Sequence, residues 1–262
     1  MNTAPGICQI CKGAGYLRAD VPYGHPQFGK PIACACKQAE WAEKHKQLLA
    51  AMSNLAAFQD KDFASFKRRV PGVQEAFRAA NAFAQCPEGW LFLVGPNGCG
   101  KTHLAAAIAN HCLHLEMEVL FITAPDLLDH LRATFAPTSP VAYDELFWRV
   151  REAEMLVIDD LGAEQSSPWA TEKLFQLFNH RYNRHSPTVI TANPDGLKTV
   201  DIRISSRLSD AGLVRMVLMN AAQDYRPYRS AQNNVDAGQA AHPSQSRAAG
   251  DTRSTGQQQS LE

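Results

Sequence analysis

The sequence predicts an α/β fold in which helices cover both faces of a parallel sheet, preceded by a small cysteine-rich segment. Short apolar runs alternate with helical patterns between residues 61 and 229, as they do in parallel α/β proteins. A glycine-rich loop separates one apolar run from a helical pattern, and another apolar run ends in two adjacent acids. Both features are typical of the carboxyl-terminal edge of a parallel sheet, where ligands bind.

Length and composition fit one sizeable domain with appendages, since the chain has 262 residues of which 45% are apolar. No apolar stretch approaches the roughly 20 residues that span a bilayer, and residues 1–6 lack the charged and apolar blocks of a signal peptide. We therefore expect a cytoplasmic protein with no membrane partner. The 26 basic and 26 acidic residues cancel, so any DNA contact must come from a local patch.

Composition divides the chain into three predicted segments. Residues 1–60 form a cysteine-bearing domain ending in a polar linker helix, roughly Lys37–Phe58, whose apolar stripe packs on its own domain or docks on a partner. Residues 61–229 form the α/β domain. Residues 230–262 have almost no large apolar side chain, so we expect a disordered polar tail.

Within the α/β segment the order of elements follows from hydrophobic periodicity and breaker residues. The predicted strands are Trp90–Val94, Val119–Thr123, Met155–Asp159 and Thr188–Ala192. The predicted helices are Val73–Gln85, Thr102–Leu115, Pro125–Phe135, Tyr143–Glu152, Ala170–Asn183 and Ser205–Ala211.

The glycine-rich loop between the first strand and the second helix matches the phosphate-loop pattern. Its glycines let backbone N–H groups converge on phosphate oxygens, Lys101 reaches the β- and γ-phosphates, and Thr102 supplies a hydroxyl to Mg²⁺. ATP and Mg²⁺ are therefore the expected ligands. The predicted nucleotide-binding set is Gly95, Pro96, Asn97, Gly98, Cys99, Gly100, Lys101, Thr102, His103 and Asp159.

Polar residues at the ends of two further strands complete the predicted site. Asp159 is expected to hold the Mg²⁺ shell, and Asp160 is expected to polarise the attacking water, a role that Glu fills in most such ATPases. Asn193 is expected to bind the γ-phosphate or orient that water, although an Asn also suits the turn that follows it. Asp160 and Asn193 are thus predicted to be catalytic.

Four of the seven cysteines form two close pairs, C-x2-C-x22-C-x-C, in the first 36 residues. Four thiolates suit a closed tetrahedral Zn²⁺ site, whereas Cys99 lies inside the phosphate loop, where a disulfide would obstruct nucleotide. His25, between the pairs, is an alternative to one thiol. The predicted zinc ligands are Cys8, Cys11, Cys34 and Cys36.

Taken together, the motifs between Phe63 and Arg229 resemble the DnaC/DnaI helicase loaders and the IstB-type transposition ATPases, a branch of the AAA+ P-loop proteins. The matching pieces are Gly-Lys-Thr-His-Leu-Ala at 100–105, Ile-Asp-Asp-Leu-Gly at 158–162, Asn-His-Arg-Tyr at 179–182, Thr-Ala-Asn at 191–193, Ser-Arg-Leu at 206–208 and Asp-Tyr-Arg at 224–226. Too little chain follows Leu208 for a full helical lid domain, so no second sensor arginine is assigned; Arg215 and Arg226 are weak candidates.

The resemblance implies that Arg207 acts in a neighbouring subunit's site as an arginine finger, with Arg203 as the competing residue. It also implies a helix that contacts single-stranded DNA, where Arg132, Phe147 and Arg149 could serve. The loader DnaI carries a zinc-bearing N-terminal domain that docks on the helicase, so the cysteine cluster favours a loader.

The leading hypothesis is therefore an ATP-hydrolysing loader that oligomerises with ATP and places a DnaB-type replicative helicase on single-stranded DNA. An IstB-type ATPase that coats duplex DNA and recruits a transposase is the alternative. An adaptor that binds ATP without hydrolysing it remains a third reading, because Asp160 replaces the usual Glu. A small-molecule kinase fits poorly, since it leaves Asn193 and Arg207 unexplained.

Overall fold

The structure, a computed structural model, describes residues 7–139, 141–219 and 224. The predicted disordered tail at 230–262 lies outside these residues, as does Arg226. Two short antiparallel strands, β1 (Tyr16–Arg18) and β2 (Pro31–Ala33), form a ribbon next to the cysteine pairs. The main sheet consists of β3 (Trp90–Val94), β4 (Val119–Thr123), β5 (Met155–Leu161), β6 (Thr188–Ala192) and β7 (Val214–Leu218).

Seven α-helices accompany the strands in the described part of the chain. They are α1 (Ala35–Met52), α2 (Gln74–Gln85), α3 (Lys101–His114), α4 (Ala124–Ala133), α5 (Tyr143–Glu152), α6 (Pro168–Arg184) and α7 (Ile202–Leu208). Short 3-10 helices occupy Asn54–Phe58 and Gly196–Thr199. None of these described helices combines the length and apolar character needed to cross a bilayer.

All five strands of the main sheet run parallel, in the order β4-β5-β6-β3-β7. Side chains alternate between two buried clusters, because successive residues of a strand face opposite sides. Trp90 and Phe92 pack with α4 to α7 on one face, whereas Leu91 and Leu93 pack with α2 and α3 on the other. The predicted parallel sheet between helical layers is confirmed.

Strand order brings the functional segments together at one edge of the sheet. The central strand β3 pairs with β6 in a register that ends at Val94 opposite Ala192. β5 lies on the other side of β6, and a bulge between Ile158 and Leu161 interrupts that pairing. Three segments therefore lie side by side: the residues that follow β3, the end of β5, and the residue after β6.

The predicted strands match the observed ones, and only β5 is longer, by two residues. The predicted helix over Lys37–Phe58 was wrong at its end: α1 stops at Met52, and Ser53 is extended with φ −74° and ψ 128°. The Ser53 hydroxyl donates to the carbonyl of Phe121 and accepts from its N–H. This tertiary contact fastens the chain to the edge strand β4 where the helix ends.

Two further differences occur near the end of the described chain. The last helix begins at Ile202, three residues earlier than predicted, because the Asp201 side chain accepts a hydrogen bond from the N–H of Arg203 and caps it. Strand β7 was not predicted. It contains Arg215 and lies at the edge of the sheet, where β3 is its one strand partner among the described residues.

Candidate functional site

The loop between β3 and α3 is shaped by its glycines. Gly98 and Gly100 have φ of +73° and +101°, a region that other L-residues rarely enter. A side chain at Gly95 would lie 2.8 Å from the Cβ of Met219, so the loop is also packed too closely there for any other residue. The loop leads directly into the N-terminus of α3, whose free N–H groups and dipole favour anions.

Lys101, the first residue of α3, is 95% buried, and its ammonium makes three hydrogen bonds. It donates to the carbonyls of Gly95 and Pro96, each at 2.9 Å, and to the side-chain oxygen of Asn193 at 2.8 Å. The amide that follows β6 is thus held against the phosphate-loop lysine, so the predicted catalytic Asn193 and Lys101 are neighbours.

A second group of polar side chains surrounds Asp159 at the end of β5. The hydroxyl of Thr102 donates to its two carboxylate oxygens at 3.0 and 3.2 Å, and the hydroxyl of Thr191 donates at 2.6 Å. Burial raises the pKa of Asp159, and the charge of Asp160 adds to that effect, while the two hydroxyls and Lys101 oppose it. Adjacent hydroxyl and carboxylate oxygens are ligands that suit Mg²⁺.

Asp160 has an unusual backbone conformation, with φ of +54°, at the bulge in β5. Its N–H donates to the Thr191 hydroxyl at 2.9 Å instead of to a carbonyl of β6. Its side chain is only partly buried, unlike that of Asp159, so water can reach it. The two acids therefore occupy different environments, which suits one to a cation and the other to a water molecule.

His103 and Cys99 occupy less direct positions. The His103 ring lies edge-on to Phe66, and its Nε2 lies 3.0 Å from the Asp62 carbonyl and 3.3 Å from the Ser65 hydroxyl. Burial lowers the pKa of His103 and raises that of Cys99, whose thiol is enclosed. A nucleotide contact by His103 stays a prediction.

The carboxylate of Asp224 lies directly against Gly98, where even a single added methyl group would collide with it. Its negative charge also contributes to the raised pKa of Cys99. An acid from the end of the described chain is therefore placed beside the loop that is predicted to bind phosphate. No role for Asp224 was predicted from the sequence.

The site fits a nucleoside triphosphate with Mg²⁺ on the chemistry of its donors. The loop offers closely packed glycines, a helix N-terminus and a buried ammonium; the adjoining strand ends offer hydroxyl, carboxylate and amide oxygens. Of the predicted set, Lys101, Thr102, Asp159 and Asn193 are brought together by direct hydrogen bonds. Asp160 joins them through Thr191.

The two candidate finger arginines lie on α7, against α6. Both guanidinium groups stack on Phe175, at 4.0 Å for Arg203 and 4.8 Å for Arg207. Arg203 pairs with Asp201 and Glu172, at 3.0 and 3.3 Å. Arg207 donates to the neutral side chain of Asn179 and to the carbonyl of Arg203, and no carboxylate of the described residues pairs with it.

The four predicted zinc ligands lie together: their sulfur atoms are all within 4.8 Å of one another. Cys8 and Cys34 are 3.8 Å apart and Cys11 and Cys36 are 3.5 Å apart. In a tetrahedral site with zinc–sulfur bonds of about 2.3 Å, ligand sulfurs are separated by roughly 3.8 Å. The spacing therefore fits a closed four-thiolate site.

The local backbone conformation brings N–H groups close to the cysteine sulfurs of this cluster. Lys12, Gly13 and Gly15 have positive φ, and the N–H of Gly15 donates to the sulfur of Cys11 at 3.3 Å. Backbone N–H groups lower the pKa of Cys8 to about 6, and hydrogen bonding with Cys11 raises that of Cys36 to about 12. His25 lies outside this group of four, and its Nδ1 accepts a hydrogen bond from the N–H of Gln27.

A groove of about 580 Å³ lies between α5 and α6. Phe135, Tyr143 and Phe147 stack in series, with centroid distances of 5.2 and 5.6 Å. Phe147, expected to be available for DNA, is only 5% exposed, and Arg149 pairs with Glu145. The exposed ring on this helix is that of Trp148, at 51%. The residues lining the groove are Tyr143, Asp144, Glu145, Phe147, Trp148, Arg151, Lys173 and Gln176.

Comparison with known proteins places these features in a family. The family described as IstB-like ATP-binding proteins matches residues 37–218. The phage-like element PBSX protein XkdC of Bacillus subtilis (strain 168) is 26% identical over 206 residues, 72% of this chain and 74% of that protein. The replicative helicase loader DnaC of Buchnera aphidicola subsp. Schizaphis graminum is 25% identical over 165 residues, 61% of this chain and 67% of that protein.

The chromosomal replication initiator DnaA of Nautilia profundicola is 31% identical to this chain over 149 residues. These residues are 55% of this chain but only 33% of that protein. Among solved structures, the DnaC helicase loader aligns with a TM-score of 0.53 and 21% identity, covering 62% of this chain and 98% of that chain. DnaI aligns at 0.52 and 22% identity, covering 64% and 92%.

A structure of DnaA bound to AMPPCP and single-stranded DNA aligns with a TM-score of 0.55 and 17% identity, over 68% of this chain and 56% of that one. At such identities the structural likeness shows the fold alone, a parallel sheet between layers of helices. The family match covers more than half of the chain and contains the phosphate loop and both acids of β5. The chain therefore belongs to the family of IstB-like ATP-binding proteins.

Proposed function

We propose that this protein is an ATP-hydrolysing loader that places a DnaB-type replicative helicase on single-stranded DNA. The observation that carries the proposal is the match to curated relatives named replicative helicase loader over 61% of this chain. The four-cysteine cluster supports it, because the loader branch that the sequence resembles includes a zinc-bearing N-terminal domain.

Each residue at the sheet edge has a role in the proposed hydrolysis. The loop amides and Lys101 bind the triphosphate, while Thr102 and Asp159 hold the Mg²⁺ that neutralises its charge. Asp160 orients and polarises the attacking water, and Asn193 senses the γ-phosphate through the same polar group that now contacts Lys101. The burial of Lys101 and Asp159 excludes competing water.

Arg207 is favoured over Arg203 as the residue that acts on a neighbouring subunit. The charge of Arg203 is already balanced by two carboxylates. Arg207 contacts only neutral groups and aromatic faces among the described residues, so its positive charge remains available to phosphate.

Mixing two inactive variants tests this assignment. Lys101→Ala lacks nucleotide binding but keeps its finger, whereas Arg207→Ala binds nucleotide but lacks the finger. If ATP is hydrolysed between subunits, mixtures regain part of the wild-type turnover, while an Arg203→Ala variant alone keeps most of it. Mixtures that stay inactive over a range of ratios contradict a finger acting in trans.

The groove between α5 and α6 is the proposed contact for single-stranded DNA. Trp148 exposes half of its ring for base stacking, and Arg132, Arg151 and Lys173 supply positive charge nearby. The pair Trp148 and Lys173 therefore replaces Phe147 and Arg149 as the best candidates on this surface.

The zinc module is the proposed helicase-docking element. Large apolar side chains are exposed around the cysteine cluster and on the first part of α1, an arrangement that often marks a protein interface. These side chains are Ile7, Ile10, Tyr16, Tyr23, Phe28, Ile32 and Trp41.

The alternative function, an IstB-type ATPase that coats duplex DNA and recruits a transposase, is favoured by the family match itself. The nucleotide chemistry is identical in both proposals. DNA preference and partner separate them. With ATP and Mg²⁺, a loader binds labelled oligo-dT more tightly than a duplex of equal length and co-elutes with a DnaB-type helicase.

A transposition ATPase shows the opposite DNA preference and captures a transposase. Lack of helicase binding together with a preference for duplex DNA would refute the loader. The Lys101→Ala variant is the control for ATP dependence, because it removes the ammonium without touching the groove or the cysteine cluster.

A further inference from the structure

Thr191 is a buried polar residue on β6, and its hydroxyl contacts both acids of β5. It is fully buried, donates to the Asp159 carboxylate at 2.6 Å and accepts from the N–H of Asp160 at 2.9 Å. One oxygen atom therefore links the acid assigned to Mg²⁺ with the acid assigned to the attacking water.

The backbone around Asp160 explains why such a link is needed. The bulge between Ile158 and Leu161 takes the Asp160 N–H out of the ladder between β5 and β6, and φ of +54° stores strain at this residue. A strained conformation persists only where its surroundings hold it. Besides accepting a hydrogen bond from the displaced N–H, the Thr191 hydroxyl donates to Oδ1 of Asp159 at 2.6 Å, and together with the Thr102 hydroxyl it fixes the orientation of that carboxylate.

We propose that Thr191 is a positioning residue that sets the geometry between the Mg²⁺-binding Asp159 and the water-polarising Asp160. This inference rests on the proposed ATP hydrolysis. Thr191 does not contact the reacting atoms in this scheme, and it acts through the two acids. Removal of its hydroxyl lets the Asp159 carboxylate rotate and leaves the Asp160 N–H without its partner.

Thr188 provides a matched control on the same strand. It is also fully buried and hydrogen-bonded through its hydroxyl, but its partners are Arg181 and the carbonyl of Ser186, at the opposite end of β6. A Thr188→Val variant therefore reports the general cost of losing a buried hydroxyl from β6.

The experiment compares Thr191→Val, Thr191→Ser and Thr188→Val in the full chain. We measure ATP affinity by calorimetry in EDTA, the Mg²⁺ dependence of steady-state hydrolysis and the thermal midpoint. For Thr191→Val we expect metal-free ATP affinity within about twofold of wild type, but turnover reduced about 10- to 100-fold and a higher half-saturating Mg²⁺ concentration. Thr191→Ser restores turnover to within a few-fold, and Thr188→Val changes only the thermal midpoint.

The proposal is overturned if Thr191→Val hydrolyses ATP with the Mg²⁺ dependence of Thr188→Val. It is also overturned if a folded Thr191→Ser variant is as defective in turnover as Thr191→Val. If Thr191→Val does not fold, the turnover of Thr191→Ser relative to wild type decides the proposal. Wild-type protein without any turnover refutes the proposed hydrolysis as well. Normal wild-type turnover with an unaffected Thr191→Val variant refutes only the role of Thr191.

Discussion

Asp160 combines an unusual backbone conformation with a negative charge that is proposed to act in catalysis. Its φ of +54° lies in the left-handed region, which Asp and Asn enter more readily than other non-glycine residues. The usual Glu of this class has no comparable tolerance of that region. The choice of Asp at this position is therefore consistent with the local bulge in β5.

The backbone conformation and the charge of Asp160 together predict the outcome of Asp160→Asn. Asn tolerates the same φ, so the fold and ATP affinity should stay close to wild type, but the negative charge that polarises water is lost. We expect turnover to fall by about 100-fold or more, measured by steady-state phosphate release on purified protein. Asp160→Ala should lose the same activity and also some stability, since Ala is disfavoured at this φ. Unchanged turnover in both variants would mean that another group activates the water.

The residues that could be predicted from sequence are those whose chemistry is carried by a local pattern. The phosphate loop, Asp159 and Asn193 fall next to short apolar runs, and each lies where the pattern predicts. Thr191 and Asp224 were each part of a matched motif, yet received no role. Their contacts, to β5 and to Gly98, depend on tertiary structure, and no local pattern distinguishes the hydroxyl of Thr191 from that of Thr188 on the same strand.

At the scale of elements, Arg181 connects the end of α6 to the end of α5, to the segment before β5 and to the start of β6. It is completely buried, and its guanidinium donates to the Thr188 hydroxyl and to the carbonyls of Arg151, Ala153 and Pro187. Burial lowers its pKa to about 9, so the group is still charged at neutral pH. The hydrogen bonds offset the cost of desolvating that charge.

Arg181→Met should therefore destabilise the domain. The change keeps much of the side-chain volume but removes the guanidinium donor from the carbonyls of Arg151 and Ala153, whereas the Pro187 carbonyl still accepts from the N–H of Leu156. We expect a cost of about 2–4 kcal/mol. That corresponds to a fall of roughly 5–12 °C in the thermal midpoint. Arg184→Met on the same helix is the control, because Arg184 is exposed and pairs only at 3.5 Å with Glu152. Equal effects of the two substitutions would contradict a structural role for Arg181.

Elements with a strong internal pattern were predicted within one to three residues, whereas elements defined by their neighbours were not. α1 ends early because Ser53 bonds to Phe121 of β4, a residue 68 positions away. The sequence of β7 has no hydrophobic periodicity that marks it as a strand, and its extended conformation is stabilised by pairing with β3. Both misses involve contacts that no local window of sequence contains.

At the scale of the whole molecule, a cysteine cluster precedes the ATP-binding domain. The metal content of the purified protein tests the role of this cluster. We expect one zinc ion per chain by elemental analysis, because the four sulfurs have the spacing of a closed tetrahedral site. Cys11→Ser should lose the metal. Cys86→Ser is the matched control, since Cys86 is exposed and outside the cluster, and it should keep the metal. Zinc-free wild-type protein, prepared without chelator, would contradict the assignment.

The end of the described chain returns to the phosphate loop, which links two parts of the molecule that are distant in sequence. The Asp224 carboxylate lies against Gly98 and is negatively charged. The phosphates of a nucleotide carry charge of the same sign. Two such charges about 4 Å apart in water repel each other by about 1 kcal/mol, and by more where water is partly excluded. Nucleotide binding at this loop should therefore work against Asp224, which must shift or lose favourable contacts.

Asp224→Asn removes the charge and keeps the shape, so we expect ADP and a slowly hydrolysed ATP analogue to bind about 3- to 10-fold more tightly. The calorimetric difference from wild type should shrink at high salt, because screening weakens repulsion between partly exposed charges. Asp224→Glu, which retains the charge, should bind within about twofold of wild type. Weaker binding by Asp224→Asn would reverse the interpretation: the carboxylate would then contact the nucleotide or its Mg²⁺ favourably, and the loss would be largest when Mg²⁺ is present.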